Sequence, residues 1–363
     1  MHIIHIVGAR PNFMKAAPVL RALEGYEGIS QTLVHTGQHY DANMSEVFFR
    51  QLGLPQPDIN LGVGSGSHAQ QTARVMLAFE EVVTSQRPDL VMVYGDVNST
   101  LAATLVSVKL GIEVAHVEAG LRSFDRTMPE ELNRLATDQL ADILLTPSAD
   151  GDANLLREGI PADRIHCVGN VMIDTLVRLL PSASPPASVT LAQRYALVTL
   201  HRPSNVDDPE ALRNLVATLD ALSHHVQIVF PIHPRTRQRL DAWRIEVPRG
   251  DSFLLLEPQG YLQFLALQRD ATVVITDSGG IQEETTYLGV PCLTVRENTE
   301  RPITVTQGTN ILVGQDLARL HTEVERVLRG EGEHGQIPPL WDGHAAERIA
   351  DIVVDITETQ PSS

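Results

Sequence analysis

The chain of 363 residues has few aromatic residues and only two cysteines. Aromatic residues make up 4% of the chain and hydrophobic residues 43%, so the core must be built mainly from Val, Ile and Leu, as is typical of soluble α/β proteins. Cys167 and Cys292 lie far apart, each beside apolar residues, which favours two reduced core thiols over a disulfide. The sequence therefore predicts a cytoplasmic setting.

The sequence also lacks long apolar runs and an excess of positive charge. No stretch of about 18 apolar residues occurs, so we expect no membrane-spanning helix. The first residues, His2–Val7, are typical of a strand and not of a basic leader peptide. The net charge of -17 argues against nucleic acid and anionic membranes as partners. An anionic ligand must therefore be held by a local group of Arg, Lys and helix ends.

Strand-like segments alternate with helical patterns in two series, and a length of 363 residues suggests two domains. The first series comprises His2–Val7, Gln31–His35, Leu90–Tyr94, Glu113–Val117, Ile143–Thr146 and Ile165–Val168. The second series comprises Ala196–Leu200, Gln227–Pro231, Phe253–Leu256, Val273–Thr276 and Cys292–Val295. We expect an α/β fold of two doubly wound, Rossmann-like domains that face a cleft, with the ligand at the carboxyl ends of the strands.

A Pro/Ser-rich stretch, Pro181–Ser188, lies just before the second series, and Val168-Gly169-Asn170 is typical of a hinge. The expected domains are residues 1–168 and residues 169–343. Apolar periodicity near the end of the sequence predicts a helix over residues 344–358, and we expect this helix to pack back on the first domain.

The most informative stretch, residues 272–284, combines a strand, a glycine turn and the start of a helix. Val273-Val274-Ile275 is a β-branched run that predicts a buried parallel strand. Ser278-Gly279-Gly280 lets the backbone turn and approach an anion closely, and the amides of the following helix favour a diphosphate. Glu284 is placed to bind ribose hydroxyls. The alternative is an ordinary strand-to-helix loop whose glycines serve packing.

A second glycine string, Gly62-Val63-Gly64-Ser65-Gly66, follows a polar loop and not a predicted strand. We interpret it as a flexible connection and not as a dinucleotide fingerprint. No nicotinamide is therefore expected.

Charged residues recur where the predicted strands end, which is where doubly wound folds place reactive groups. Asp96, Glu118 and His201 each follow such a strand end. Glu130 follows Pro129, a predicted first helical residue, and therefore lies at the positive end of a helix. Any one of these residues could be a helix cap or a solvated group. Three carboxylates at one cleft favour acid/base chemistry.

Basic residues occupy similar positions in both series. Arg10 follows the first predicted strand, and Lys15 comes about one helical turn later. Arg202 follows the first strand of the second series, while Arg296 and Arg301 follow its last strand. A guanidinium binds phosphate oxygens through two hydrogen bonds and stays charged, which suits a diphosphate. The alternative for each residue is a surface ion pair.

Taken together, seven segments resemble the non-hydrolysing UDP-N-acetylglucosamine 2-epimerases, which have a GT-B fold. The segments are Gly8–Pro11, Tyr94–Asp96, His116–Arg122, Pro129–Arg134, Thr199–Arg202, Thr276–Glu284 and Thr299–Pro302. The resemblance implies a homodimeric enzyme of polysaccharide biosynthesis that inverts C2 of the N-acetylglucosamine unit of a UDP-sugar. In such a family UDP is eliminated to leave a 2-acetamidoglucal and is then added back, and neither a redox cofactor nor a metal takes part.

The resemblance also assigns roles to residues of this chain. Asp96, Glu118 and Glu130 would transfer protons and stabilise positive charge at C1, and which proton each takes stays open. His201 would lie next to the departing diphosphate. UDP would be held by Arg10, Arg202, Ser278, Gly279, Gly280 and Glu284, and the charged lining would be completed by Lys15, Arg134 and Arg301.

Two other enzymes and one binding protein remain as alternatives. An epimerase of a UDP-diacetamido-uronic acid is favoured by Thr36–Asp41 and Asn98–Thr100, whereas Gln282–Glu284 and Thr299–Pro302 resemble the N-acetylglucosamine branch. A GT-B glycosyltransferase shares the UDP site but usually needs one base, so the three carboxylates favour epimerisation. The same carboxylates argue against a nucleotide-sugar-binding protein without catalysis.

A regulatory UDP-sugar site is implied by the resemblance, with contacts expected from Gln38, Arg202 and His233. The chain departs from the usual pattern there, because Asp41 replaces Gln or Glu and Pro203-Ser204 replaces Arg-Glu. The loop Gly62 to Ser67 also contains no Arg. Each lost charge-assisted hydrogen bond removes roughly 1.5 to 3 kcal/mol. We therefore expect activation by substrate to be weak or differently built.

Overall fold

The protein is described by a computed structural model that covers residues 1–37, 53, 55–332 and 335–359. Contacts along the chain divide it into a first unit, Met1–Arg178 with Pro339–Ser363, and a second unit, Leu179–Pro338. Over these ranges no helix combines the length and the apolar character needed to cross a membrane.

The first unit is built on a parallel sheet, to which the described residues contribute seven strands in the order β3-β2-β1-β4-β5-β6-β7. The strands are β1 (His2–Val7), β2 (Ser30–His35), β3 (Ile59–Asn60), β4 (Leu90–Tyr94), β5 (Glu113–Val117), β6 (Ile143–Thr146) and β7 (Ile165–Cys167). The helices are α1 (Arg10–Leu23), α2 (His68–Gln86), α3 (Asn98–Lys109), α4 (Pro129–Leu140), α5 (Ala149–Arg157), α6 (Val171–Leu179) and, numbered in chain order, α14 (Ala345–Thr359).

Sequence chemistry explains how these elements form. Every residue of β4 is buried, as expected for a central parallel strand covered on both faces. Phe79 of α2 packs with Ile4 and Val91 in one core cluster of this unit. Ser67 caps α2 by accepting a hydrogen bond from the backbone of Gln70 at 3.3 Å. The residues at the carboxyl ends of the strands lie in loops, outside these packing contacts.

The second unit has a parallel sheet of six described strands in the order β10-β9-β8-β11-β12-β13. The strands are β8 (Tyr195–Thr199), β9 (Gln227–Pro231), β10 (Phe253–Leu256), β11 (Val273–Thr276), β12 (Cys292–Thr294) and β13 (Asn310–Leu312). The helices are α7 (Pro203–Val206), α8 (Pro209–Ser223), α9 (Pro234–Trp243), α10 (Tyr261–Arg269), α11 (Gly279–Leu288), α12 (Ile303–Thr306) and α13 (Leu317–Leu328). Its core has its own apolar cluster, centred on Val198, Ile228 and Ile275.

The predicted α/β fold with two parallel sheets is confirmed. Two short strands, β3 and β13, were missed by the sequence analysis. The expectation that the glycine string Gly62–Gly66 follows a polar loop was wrong, because it follows the edge strand β3 and leads to the cap of α2 at Ser67.

The division between the units lies about ten residues after the boundary that the sequence suggested at residue 168. Helix α6 explains the difference, because it is tied to the first unit. Asp174 accepts hydrogen bonds from the first amides of α14, at 3.1 Å from Ala345 and 2.6 Å from Ala346. Thr175 donates a hydrogen bond to the Met14 carbonyl at 2.6 Å. Helix α14 also packs against α1.

Candidate active site

Five charged residues of the first unit form what we call the first-unit cluster. They are Lys15, Asp96, Glu118, Glu130 and Arg134. The ends of three strands position members of this cluster. Lys15 lies in α1, which follows β1, while Asp96 follows β4 and Glu118 directly follows β5. The carboxyl ends of parallel strands meet at one edge of a sheet, so the fold gathers these residues there.

Lys15 and Glu118 form a buried ion pair in the first-unit cluster. The ammonium of Lys15 lies 2.7 Å from Oε1 of Glu118, and each residue is 5% exposed. Gly95 packs against this pair, because a Cβ atom added to Gly95 would lie 2.7 Å from the Lys15 ammonium. The structure therefore brings Lys15, predicted to line the UDP site, to one of the predicted catalytic carboxylates and next to the residue that precedes Asp96.

Asp96 is held by a second cation, Arg134. One guanidinium nitrogen of Arg134 bonds to Asp96, and another lies 2.6 Å from Glu131. Burial alone would raise the pKa of Glu131, but hydrogen bonds from Ser123 and Arg134 outweigh it and lower that pKa. Asn133 fixes the backbone by donating to the Asp96 carbonyl at 2.8 Å. Helix α4 therefore holds both the side chain and the backbone carbonyl of Asp96.

Glu130 occupies the second position of α4, directly after Pro129. It is half-buried, and within the described ranges its carboxylate has no hydrogen bond or ion pair. The amides of the first helical turn give it a positive surrounding. Unlike Asp96 and Glu118, it therefore takes no part in an ion pair among the described residues.

The backbone of the first-unit cluster is strained at one position. Glu118 has φ of 74°, a left-handed conformation that is rare outside glycine. Such a conformation costs about 1 to 3 kcal/mol and persists where the surroundings hold it. The Glu118 amide is held by the Leu145 carbonyl of β6 at 3.0 Å. Strain of this kind is concentrated at functional sites.

The second unit contributes the second-unit cluster, which comprises His201, Arg202, His233, Ser278, Gly279, Gly280, Glu284 and Arg301. Asp277, which directly follows β11, holds His201 and Arg202 of this cluster in place. Its buried carboxylate accepts hydrogen bonds from the amides of His201 at 2.9 Å and Arg202 at 2.8 Å, and from Asn205 at 2.9 Å. Nδ1 of His201 lies 3.0 Å from the same carboxylate. The tight turn after β8 is thus fixed to the end of β11.

The electrostatics of this turn follow from those contacts. Burial alone would raise the pKa of Asp277, but His201 and the other donors outweigh it and hold the pKa below its usual range. An ionised Asp277 therefore fixes which nitrogen of His201 faces it. The ring of His201 lies 5.0 Å from that of His233, which caps α9 by accepting from the Arg235 amide.

The glycine turn predicted to bind a diphosphate is the start of α11. Ser278 is the N-cap residue, and Gly279 and Gly280 begin the helix. Arg301 lies across this end, because a Cβ atom on Gly279 would be 2.6 Å from its guanidinium, whereas no described atom lies within 4 Å of a Cβ on Gly280. Arg301 also pairs with Glu283 at 2.9 Å. Amides and a guanidinium thus face the same space.

Glu284 lies deeper in α11 than the other predicted UDP-binding residues. It is 4% exposed, and the hydroxyl of Tyr261 donates to its Oε1 at 2.9 Å. Burial raises the pKa of Glu284 to about 7, against the opposing effect of the Tyr261 hydrogen bond. The carboxyl therefore titrates near neutral pH.

Two predicted site residues lie wholly or partly outside the described structure. Arg10 is the first residue of α1, but its side chain lies outside the described part of the structure. Gln38, predicted for the regulatory site, lies outside the described residues altogether.

The sequence analysis missed polar residues that support the first-unit cluster. His116 and Asp138 are fully buried, and Asn12 donates from its amide to the Tyr94 carbonyl at 2.6 Å. A histidine in the apolar strand Val114–Val117 was the available signal, since a buried polar side chain needs a partner.

A group of side chains suited to a metal, His225, His321 and Glu325, lies elsewhere in the second unit. Among the described residues its ligand atoms lie within 4.8 Å of one another. Glu325 is 3.9 Å from His321 and 3.7 Å from Arg329. Because a cation already shares this carboxylate, we assign the group to an ion-paired helix surface.

Known proteins are similar to this chain over nearly its whole length. The family described as UDP-N-acetylglucosamine 2-epimerase matches residues 21–354. A UDP-N-acetylglucosamine 2-epimerase of Methanococcus maripaludis is 42% identical over 96% of this chain and 97% of its own. A UDP-2,3-diacetamido-2,3-dideoxy-D-glucuronate 2-epimerase of Pseudomonas aeruginosa is 40% identical over 98% and 100%. The Methanocaldococcus jannaschii UDP-GlcNAc 2-epimerase, crystallised with UDP-GlcNAc and UDP, superimposes with a TM-score of 0.90 at 42% identity, over 98% and 100%.

Proposed function

This chain belongs to the UDP-N-acetylglucosamine 2-epimerase family, and on that premise we propose that it interconverts UDP-N-acetylglucosamine and UDP-N-acetylmannosamine. The observation that carries the proposal is the pair of carboxylates, Asp96 and Glu118, each held by a cation at neighbouring strand ends. Epimerisation at C2 needs groups that remove a proton from one face and return one to the other.

We infer an elimination followed by an addition. The C2 hydrogen is not α to a carbonyl, so it is removed only as the bond between C1 and the diphosphate oxygen breaks. The electron pair of that bond leaves with UDP, and a 2-acetamidoglucal remains. A proton then adds to the opposite face of C2, and a UDP oxygen forms the new bond at C1. Carboxylates supply proton transfer and also stabilise positive charge at C1.

The first-unit cluster would perform these steps. Asp96 and Glu118 are oriented by Arg134 and Lys15, as pre-organised acid/base groups must be. Glu130 has no competing partner among the described residues and is suited to exchange a proton.

The second-unit cluster would hold UDP and assist its departure. The amides at the start of α11 and the guanidinium of Arg301 offer donors to a diphosphate. His201, fixed through Nδ1 by Asp277, would present Nε2 to the leaving group. Arg10 and Arg202 are proposed as further phosphate ligands, and Glu284 as the ribose ligand.

Proton NMR of the reaction in heavy water tests the proposal. With neither nicotinamide nor metal added, the protein should equilibrate UDP-N-acetylglucosamine with its manno epimer and place deuterium at C2. Asp96→Asn should lower turnover by about 100-fold or more and keep UDP binding, since Asp96 is not among the residues assigned to UDP and all of those except Arg10 lie in the second unit. Epimerisation without deuterium at C2 would exclude the elimination, and transfer to an acceptor without epimer would favour a glycosyltransferase.

The diacetamido-uronate relative supplies the second candidate, because its identity of 40% is close to the 42% of the N-acetylglucosamine epimerase. A parallel reaction with UDP-2,3-diacetamido-2,3-dideoxy-D-glucuronate decides between them. A higher kcat/KM for this compound would replace the proposed substrate and retain the reaction type. A homodimer, a cytoplasmic location and a regulatory site at Gln38 and His233 stay predictions.

A further inference from the structure

The imidazole of His116 lies between two hydrogen-bond acceptors in the interior of the first unit. Its Nδ1 is 2.6 Å from Oδ1 of Asp138, and its Nε2 is 2.8 Å from the carbonyl oxygen of Gly95. His116 and Asp138 are both 0% exposed. A carbonyl oxygen accepts hydrogen bonds and cannot donate them, so Nε2 must carry a hydrogen.

The other nitrogen of His116 carries a hydrogen as well, because Asp138 is an ionised acceptor. Oδ2 of Asp138 lies 2.7 Å from a guanidinium nitrogen of Arg122 and accepts from the Gly120 amide at 3.1 Å. A cation and an amide that both donate to Oδ2 favour the ionised form of Asp138. Hydrogen on both nitrogens of His116, which makes the ring an imidazolium, satisfies both acceptors.

The surrounding charges are consistent with this assignment. Arg122 is paired a second time, with Glu158, through contacts of 2.8 and 2.7 Å. The group thus contains two positive residues, His116 and Arg122, and two negative residues, Asp138 and Glu158. Buried charges are tolerated when they are paired and hydrogen-bonded. With a neutral His116 the group would carry a net negative charge, which solvent reaches only at Glu158, whose side chain is 25% exposed.

The network is attached to the backbone on both sides of the candidate catalytic residues. Gly95, held by His116, directly precedes Asp96 and has φ of 65°. Gly120, held by Asp138, follows Glu118 by two residues and has φ of 81°. A Cβ atom on Gly120 would lie 2.6 Å from the Gly151 carbonyl oxygen, so this turn has no room to shift.

We propose that the His116 imidazolium and Asp138 are positioning residues that together fix Asp96 and Glu118 for proton transfer at C2. This inference rests on the proposed epimerase function. Neither residue needs to touch the substrate, since His116 acts through Gly95 and Asp138 acts through His116 and Gly120. Misplacing a reacting group by about 1 Å can cost about 100-fold in rate.

The charge assignment is tested on the wild-type protein by NMR with 15N-labelled histidine. At pH 8, where exposed histidines are neutral, one buried ring should show hydrogen on both nitrogens. His116→Gln should remove this signal, and His344→Gln, a change at an exposed histidine in the same unit, should retain it. A wild-type spectrum in which no histidine carries two hydrogens would overturn the inference, whether or not the variants fold.

The positioning role is tested by kinetics on folded His116→Gln and Asp138→Asn protein. We expect kcat to fall by about 100-fold while KM and the Kd for UDP stay near their wild-type values, because loss of folded protein alone would not change kcat per folded molecule. Wild-type kcat in both variants would overturn the positioning role. An active wild-type enzyme with a neutral His116 would overturn only this inference. An inactive wild-type protein with an imidazolium would overturn the proposed function and leave only the charge assignment of His116.

Discussion

At the scale of single residues, Glu284 links the stability of the second unit to pH. Burial raises the pKa of its carboxyl from 4.5 to about 7. Between these values the folded protein keeps a proton that the unfolded chain has lost. The contribution of this proton to the free energy of unfolding is therefore fully present below pH 4.5 and is lost as pH rises to about 7.

Glu284→Gln should remove this dependence, because an amide does not titrate. In urea unfolding at several pH values, the stability advantage of the variant over the wild type should grow by roughly 3 kcal/mol between pH 4.5 and 7. Glu246→Gln, a change at an exposed acid of the same unit, serves as the control and should follow the wild type. Parallel curves for Glu284→Gln and wild type would show that Glu284 is not the titrating group.

Residue positions were easier to predict from sequence than residue partners. Asp96, Glu118 and His201 follow strand ends as expected, because a strand end is visible in the local pattern. The partner of Glu118, Lys15, lies 103 residues away in sequence, and such a pairing depends on which strands are neighbours. His116 was missed as a support residue because one acceptor, Gly95, directly follows β4 and the other, Asp138, lies in α4, so neither belongs to its own strand.

At the scale of elements, central strands were predicted better than edge strands. The bounds of β4, β5 and β11 agree with the sequence analysis, since each is a short segment of mainly apolar or β-branched residues that is largely buried. β3 has two residues and β13 has three, and both lie at sheet edges. Segments this short carry no periodic pattern, so only the neighbouring strand defines them.

Helix α11 offers a matched pair of glycines for separating binding from stability. Gly280, near its start, has open space where a Cβ would lie, and Gly289, at its end, has φ of 70°. Gly280→Ala should preserve or raise stability, because alanine is the better helix former, but a methyl group would occupy space assigned to the diphosphate. We expect UDP affinity to fall about tenfold, equivalent to about 1.4 kcal/mol.

Gly289→Ala should behave in the opposite way. The left-handed conformation costs alanine roughly 1 to 2 kcal/mol, so thermal unfolding should occur at a lower temperature while UDP affinity stays unchanged. Calorimetry of unfolding and of UDP binding measures both effects. Unchanged UDP affinity in Gly280→Ala would contradict the assignment of this helix end to the diphosphate.

At the scale of the whole molecule, the two units differ in the number of chain segments that form them. The second unit is one continuous segment, Leu179–Pro338, whereas the first combines Met1–Arg178 with Pro339–Ser363. The later segment supplies α14 and Trp341, which is 2% exposed and donates to the Pro147 carbonyl at 2.9 Å. The first unit therefore depends on residues that follow the second.

A protein of residues 179–338 alone should fold cooperatively and bind UDP, because it contains a complete sheet and its own core. Residues 1–178 alone should not fold cooperatively, since the partners of Asp174 and Pro147 are missing. Urea unfolding followed by circular dichroism, together with UDP titration, tests both. A fragment of residues 179–338 that stays unfolded would contradict the independence of its core.

The same chain order sets a sequence of events on the ribosome. After residue 178 has been synthesised, the 160 residues of Leu179–Pro338 must follow before α14 can be made. At typical rates of translation this takes roughly 10 to 30 seconds. During that interval the nascent first unit exposes the face of α1 that α14 later covers, while the second unit can already complete its fold. We therefore expect a chaperone to bind this nascent chain more readily than the completed protein.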